Sequence, residues 1–222
     1  MLETLKRQAT GDSIPPGPVV ASLWLVRHAE VQEKYQRVFG GRIDMDLSPR
    51  GQSQAAKLSE YLKNRSFDSV YASPMKRVQQ TLQPMLQNGF PRPIITSDFS
   101  EVDFGDWTGH AWEEVEEKFG VSAYTWLDQL ECNGIPNAEC ASKLRARVEP
   151  ALQRVLRSHP GGQVAIVCHG GVIRMILSIL FSLPFASMGM FEIEYASATQ
   201  IRFQMSKPQL QLLNFSPWRD VP

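Results

Sequence analysis

Val164-Ala165-Ile166-Val167-Cys168 is an unbroken apolar run that ends abruptly in His169-Gly170-Gly171. Such a run, without polar alternation, suits a strand buried on both faces, as parallel strands are when helices cover the sheet above and below. Parallel neighbours need crossover connections, so the remainder of the chain should alternate strand with helix. It does. Ser22-Leu23-Trp24-Leu25-Val26 reads as a first strand behind Pro15, Pro16, Gly17 and Pro18. Ser48-Pro49 opens a helix, with serine as N-cap, proline in the first turn, and Ala55, Leu58 and Leu62 on the core face. Ser69 to Ala72 is a second strand, and Ser73-Pro74 repeats the cap before a helix that buries Met75, Val78, Leu82 and Met85.

Pro93 to Thr96 supplies a third strand. Residues 98–140 read as an insertion that lids the sheet edge, helical over 110–135. A longer helix turns Leu144, Val148, Leu152 and Val155 inward and stops at His159-Pro160-Gly161-Gly162. Gly170-Gly171 starts the helix that carries Arg174. Phe191 to Tyr195, Thr199 to Gln204 and Leu210 to Asn214 read as strands. The expectation is an α/β fold of three layers: a mostly parallel central sheet, helices on both faces, and an antiparallel strand at one edge. Residues 1–20 read as a flexible arm and 21–222 as a single domain.

Lysine plus arginine, 23, equals aspartate plus glutamate, 23, so no global field recruits nucleic acid or an anionic membrane. Any anion site must be local. Cys132, Cys140 and Cys168 are odd in number and lack zinc-ligand spacing, which points to a reducing compartment. Met1 to Ala9 carries Glu3, Lys6 and Arg7 and resembles no secretory leader. Val172 to Phe185 is too short to span a bilayer and contains Arg174. A cytoplasmic protein is expected, with monomer and homodimer both open.

Each of the four parallel strands is followed by residues suited to phosphate chemistry. Arg27 and His28 follow the first, Ser73 and Arg77 the second, Glu101 the third, and His169 with Gly170 the fourth. Ligands of open α/β sheets bind outside the carboxyl ends of the strands, so these positions can meet around one pocket. Arginine forks match phosphate oxygens. Two histidines offer a nucleophile and a second cationic donor. One carboxylate can act as general acid and then general base, and the amides after Gly170 open a helix whose N-terminus favours an anion.

Four segments together resemble the histidine phosphatase superfamily, which includes the cofactor-dependent phosphoglycerate mutases. They are Leu25-Val26-Arg27-His28-Ala29-Glu30, Ser73-Pro74-Met75-Lys76-Arg77, Glu101-Val102-Asp103-Phe104-Gly105-Asp106-Trp107 and Val167-Cys168-His169-Gly170-Gly171-Val172-Ile173-Arg174. The resemblance implies a phosphoglycerate mutase-like fold and a small phosphorylated substrate. It implies His28 as the nucleophile that takes the phosphoryl group, Arg27, Arg77 and His169 as holders of the phosphate oxygens, and Glu101 as proton donor to the leaving oxygen. It implies no metal and no cofactor, and the sequence offers no carboxylate-rich or Cys/His cluster for one. Ala29 stands where glycine is common in that family, Lys34 where asparagine is common. Pro136-Asn137-Ala138-Glu139 matches a glycine-richer family segment only loosely.

The favoured activity is metal-independent hydrolysis of a phosphomonoester. The alternatives are mutase-type phosphoryl transfer and a catalytically inactive regulatory relative. Mutases carry a longer, more basic insertion between acid and second histidine, whereas Gly109 to Asn137 holds one lysine, Lys118. An inactive relative would lack His28 or Glu101. The loop from Phe99 to Gly109 resembles that of the alpha-ribazole phosphatases. Among other candidates, His110 and His159 read as helix-end residues and Cys168 as a small apolar packer. Arg50 is a rim cation or a solvated helix residue, Arg174 half of a buried ion pair, and Asp103 the competitor to Glu101. Trp107, Trp112 and Trp126 wall the pocket or pack the lid, with packing favoured.

Overall fold

Alternate side chains of the first strand enter different cores: Leu23 and Leu25 join one cluster, Trp24 and Val26 the other. That division follows from the two-residue repeat of an extended chain and makes the sheet the middle of three layers. A computed structural model describes residues 17–221. In chain order the first half comprises β1 (Ser22–Arg27), α1 (Pro49–Leu62), β2 (Ser69–Ala72), α2 (Lys76–Gln87) and β3 (Ile94–Ile95). Next come α3 (Trp112–Phe119), α4 (Trp126–Glu131), α5 (Ala141–Ser158), β4 (Gln163–Cys168) and α6 (Gly170–Phe181). The chain closes with β5 (Ala198–Gln204), β6 (Lys207–Phe215) and α7 (Pro217–Asp220).

The strand order among the described residues is β3-β2-β4-β1-β5-β6. β3, β2, β4 and β1 run parallel, with Leu23 opposite Val164 and Val70 opposite Ala165. β5 and β6 add two antiparallel strands at one edge. The apolar run in β4 sits centrally and divides as expected, Val164, Ile166 and Cys168 to one face and Ala165 and Val167 to the other. α5 and α6 cover the first face; α1, α2 and α7 cover the second. Fully buried leucines such as Leu25, Leu58 and Leu152 each contribute about 1.5–3 kcal/mol relative to exposure.

The Ser48 cap forms as read, its hydroxyl accepting from Gly51 N at 2.9 Å. Ser48 Oγ also donates to Glu30 Oε1 at 2.7 Å, tying the start of α1 to the chain leaving β1. Gly51 is required there: a Cβ would lie 2.0 Å from Glu30 O.

Three expected elements differ. α2 starts later than read, with Met75 as N-cap; Ser73 Oγ accepts from Met75 N at 3.3 Å ahead of the helix and is shared with His169. The third strand shortens to Ile94–Ile95 at the sheet edge. Phe191 to Tyr195 is not a strand: its carbonyls accept from two arginines, Ile193 O from Arg27 and Phe191 O from Arg174, rather than from a neighbouring chain. Residues 1–16 of the expected arm lie outside the described residues. Val19 and Val20 are buried, and Val20 N donates to Leu156 O at 2.9 Å. No described helix is long and apolar enough to cross a membrane.

Candidate active site

The carboxyl ends of β1, β2 and β4 deliver their next residues to one edge, and the loop after β3 brings Glu101 to it. A cavity of about 420 Å³ opens there, and Arg27, His28, Arg77, Glu101 and Gly170 all line it. His169 lies fully buried beneath, reached through Arg77.

His28 is 4% exposed and leaves β1 with its amide bonded to Cys168 O at 3.0 Å. Its Nδ1 lies 2.8 Å from Ala29 O. A carbonyl only accepts, so Nδ1 holds the proton and Nε2 keeps its lone pair. Arg77 Nε approaches both imidazoles, donating to His28 Nε2 at 3.2 Å and to His169 Nδ1 at 3.3 Å. With Nδ1 accepting, the His169 proton sits on Nε2 and is donated to Ser73 Oγ at 2.8 Å. Burial, then the Arg77 and Arg27 charges, hold His28 well below the ordinary histidine value. His169 is lowered in the same way, by burial first and then chiefly by Arg77. Both rings are therefore neutral bases at pH 7.

Arg77 is itself almost fully buried, and its terminal nitrogens donate to Ile43 O and Gly41 O, each at 2.9 Å. The two loop carbonyls aim the fork. Arg27 is fixed by Ile193 O at 2.5 Å and by the Tyr195 ring, 4.0 Å from its guanidinium carbon. Its Nε is buried without a partner. Glu101 accepts from Val102 N at 3.0 Å and Gly171 N at 3.4 Å, so its carboxylate rests on the first turn of α6. Four arginines, Arg27, Arg37, Arg77 and Arg174, and three glutamates, Glu101, Glu192 and Glu194, line the cavity. Arg27 and Arg77 stand directly beside His28 and give that end of it a local positive field that favours an anion.

Arg174 corrects its expected role. Among the described residues it makes no ion pair; it donates to Gly170 O and Phe191 O, and it lines the cavity. Side chains of a helix point back toward its N-terminus, and here that direction leads to the sheet edge. Burial lowers its pKa to about 10. Trp107 packs in the core, and Trp112 and Trp126 both pack and line the cavity, so the two readings hold together for them. Lys34 is absent from the lining and lies 4.9 Å from the Tyr35 ring. Asp103 accepts from Gly105 N at 3.0 Å and does not line the cavity. Arg50 pairs with Glu30 at 3.5 Å, His110 meets Glu114 at the start of α3, and His159 is the C-cap of α5. Cys168 is buried, and burial pushes its thiol up. Tyr195 and the carbonyls of Gly41 and Ile43 were not marked by any local signal.

Two buried imidazoles, a shared arginine and a nearby carboxylate thus meet at the end of a parallel sheet. Residues 23–216 match the family model of the histidine phosphatase superfamily (branch 1), and the chain belongs to that superfamily. It is a phosphatase. The chain is 27% identical over 199 residues to the adenosylcobalamin/alpha-ribazole phosphatase of Salmonella typhimurium, covering 89% of this chain and 98% of that one. It is also 27% identical over 197 residues to phosphoserine phosphatase 1 of Hydrogenobacter thermophilus, covering 89% and 93%. The crystal structure of the alpha-ribazole phosphatase from Shigella flexneri superposes with a TM-score of 0.73 at 27% identity, covering 87% of this chain and 96% of that one.

Proposed function

We propose that the chain hydrolyses a small phosphomonoester through a phosphohistidine on His28. The observation that supports this most directly is the Nδ1 bond to Ala29 O, which leaves the Nε2 lone pair of a neutral imidazole beside Arg77. Nε2 attacks phosphorus in line, the bond from phosphorus to the ester oxygen breaks, and Glu101 gives that oxygen its proton. The Glu101 carboxylate then takes a proton from water as the water oxygen attacks phosphorus and His28 departs. Arg27, Arg77 and the amide of Gly170 hold the non-bridging oxygens. His169 joins them once the dianion, by reversing the local field, favours its protonation. Charge spreads over these oxygens in the transition state, so fixed cations supply most of the stabilisation.

Alpha-ribazole phosphate is the substrate this reading favours. Phe104, Trp112, Trp126 and Tyr35 wall a cavity wider than a phosphate, which suits a ring-bearing leaving group. The free state of Cys132, Cys140 and Cys168 supports a cytoplasmic setting. Quenching without acid during turnover should trap an acid-labile, base-stable phosphoprotein, absent in His28→Ala. Comparison of kcat/KM for alpha-ribazole phosphate, phosphoserine and phosphoglycerate should favour the first. A fully active His28→Ala enzyme defeats the mechanism; a preference for phosphoserine defeats the substrate.

A further inference from the structure

Glu101 has a positional problem. It lies in an irregular loop beyond a strand of two residues, Ile94–Ile95, so no sheet ladder holds it. Its carboxylate nevertheless has to stand within hydrogen-bond reach of a leaving oxygen. The surrounding bonds converge on one side chain from the helix packed against the loop in the same core. Arg147, on α5, donates through Nη1 to Asp98 O at 2.6 Å and through Nη2 to Glu101 O at 3.2 Å. The same guanidinium grips Glu139 bidentately, Nε to Oε1 at 2.6 Å and Nη2 to Oε2 at 2.8 Å.

Glu139 holds the loop in turn. Its amide donates to Asp103 O at 2.8 Å, and its Oε2 lies 3.5 Å from Asp103 N. Asp98, Glu101 and Asp103 are therefore anchored on either side of the acid, and at the acid itself, by one ion pair. The chain just beyond is clamped by the same segment. Gly105 takes φ +52°, and a Cβ there would lie 2.2 Å from Pro136 O. Both side chains are mostly buried, 18% and 10% exposed, so the pair is held in a fixed geometry instead of swinging in solvent.

We propose that Arg147, locked by Glu139, is a positioning residue for proton transfer by Glu101. This rests on the reading of Glu101 as the proton donor. The guanidinium touches neither phosphate nor leaving group; it fixes the backbone from which the carboxylate reaches. Displacement of that backbone by an ångström costs about 10²-fold when the proton is needed and far less when it is not. The signature is thus a loss that depends on the leaving group.

The test compares kcat/KM, which reports the phosphorylation step, for an alkyl phosphate and for nitrophenyl phosphate. The variants are Glu139→Gln, which keeps the side-chain shape, Arg147→Gln, and each combined with Glu101→Gln; thermal unfolding monitors folding. Both single variants should lose about tenfold or more on the alkyl ester beyond any loss on the aryl ester. In the Glu101→Gln background the same substitutions should add no further leaving-group dependence. Equal losses on the two esters would mean a purely structural pair and overturn the proposal, as would a selective loss that persists without Glu101. Should Arg147→Gln fail to fold, Glu139→Gln alone decides between these outcomes. If Glu101→Gln itself slows both esters equally, the assignment of the acid fails, and the positioning role falls with it.

Discussion

The two buried histidines make a quantitative prediction about stability and pH. Both are held well below the ordinary histidine value in the folded chain, mainly by burial and then by arginine charge. In the unfolded chain each takes a proton as the pH falls through about 6.5. Below that point the unfolded state binds more protons than the folded state, so stability is lost as the pH drops. Above it both states are neutral and the effect vanishes. Each proton contributes a limiting slope of about 1.4 kcal/mol per pH unit, and two contribute about 2.7. That slope is the ceiling two histidines can set, and against the ~5–15 kcal/mol typical of a folded protein it is large enough to measure within about one pH unit.

Urea unfolding followed by tryptophan fluorescence measures this directly, since Trp24 and Trp107 are fully buried. The wild-type chain is compared with a His28→Gln/His169→Gln double variant across the window above carboxylate titration. The double variant should lose most of the slope, whatever its absolute stability. His110 and His159 are present in both chains and cancel. Saturating vanadate should also flatten the wild-type slope, because a bound dianion favours the protonated rings. An unchanged slope in the double variant would refute the reasoning, for it would mean that both rings titrate alike in folded and unfolded chains.

Two further outcomes are expected. Arg77→Ala should cut kcat/KM by about 10²–10³-fold on alkyl and aryl phosphates alike, because the phosphoryl oxygens are the same in both; steady-state kinetics on the two esters checks it, and a leaving-group-dependent loss would contradict it. Hydrolysis of nitrophenyl phosphate should survive excess chelator, since among the described residues no group of three or more His, Cys, Asp and Glu converges on a cation site. Loss of activity restored by magnesium would count against that.

Local chemistry explains which features were readable. Ser48-Pro49 announces a helix because capping needs only neighbours three residues away, and the bond to Gly51 N forms as read. Ser73-Pro74 gives the same signal, and the local bond from Met75 N forms, yet the hydroxyl of Ser73 is shared with His169, a residue 96 positions distant. Phe191 to Tyr195 has strand composition, but its carbonyls are consumed by Arg27 and Arg174. Composition cannot report which distant donor reaches a carbonyl first.

The sequence by itself determined the layers and the cast of the site. Period-two division of apolar residues in β1 and β4 requires a sheet covered on both faces, and the carboxyl ends of parallel strands must share an edge. Arg27, His28, Arg77, Glu101, His169 and Gly170 are brought together on those grounds alone. Tertiary structure decided which nitrogen of each imidazole carries the proton, since that depends on Ala29 O, Arg77 and Ser73. It decided that Arg174 lines the cavity, held by the carbonyls of Gly170 and Phe191, and that Arg147 on α5 holds the loop of Glu101. Periodicity assigns a face to a residue; only the packed neighbours fix the last few ångströms over which hydrogen bonds act.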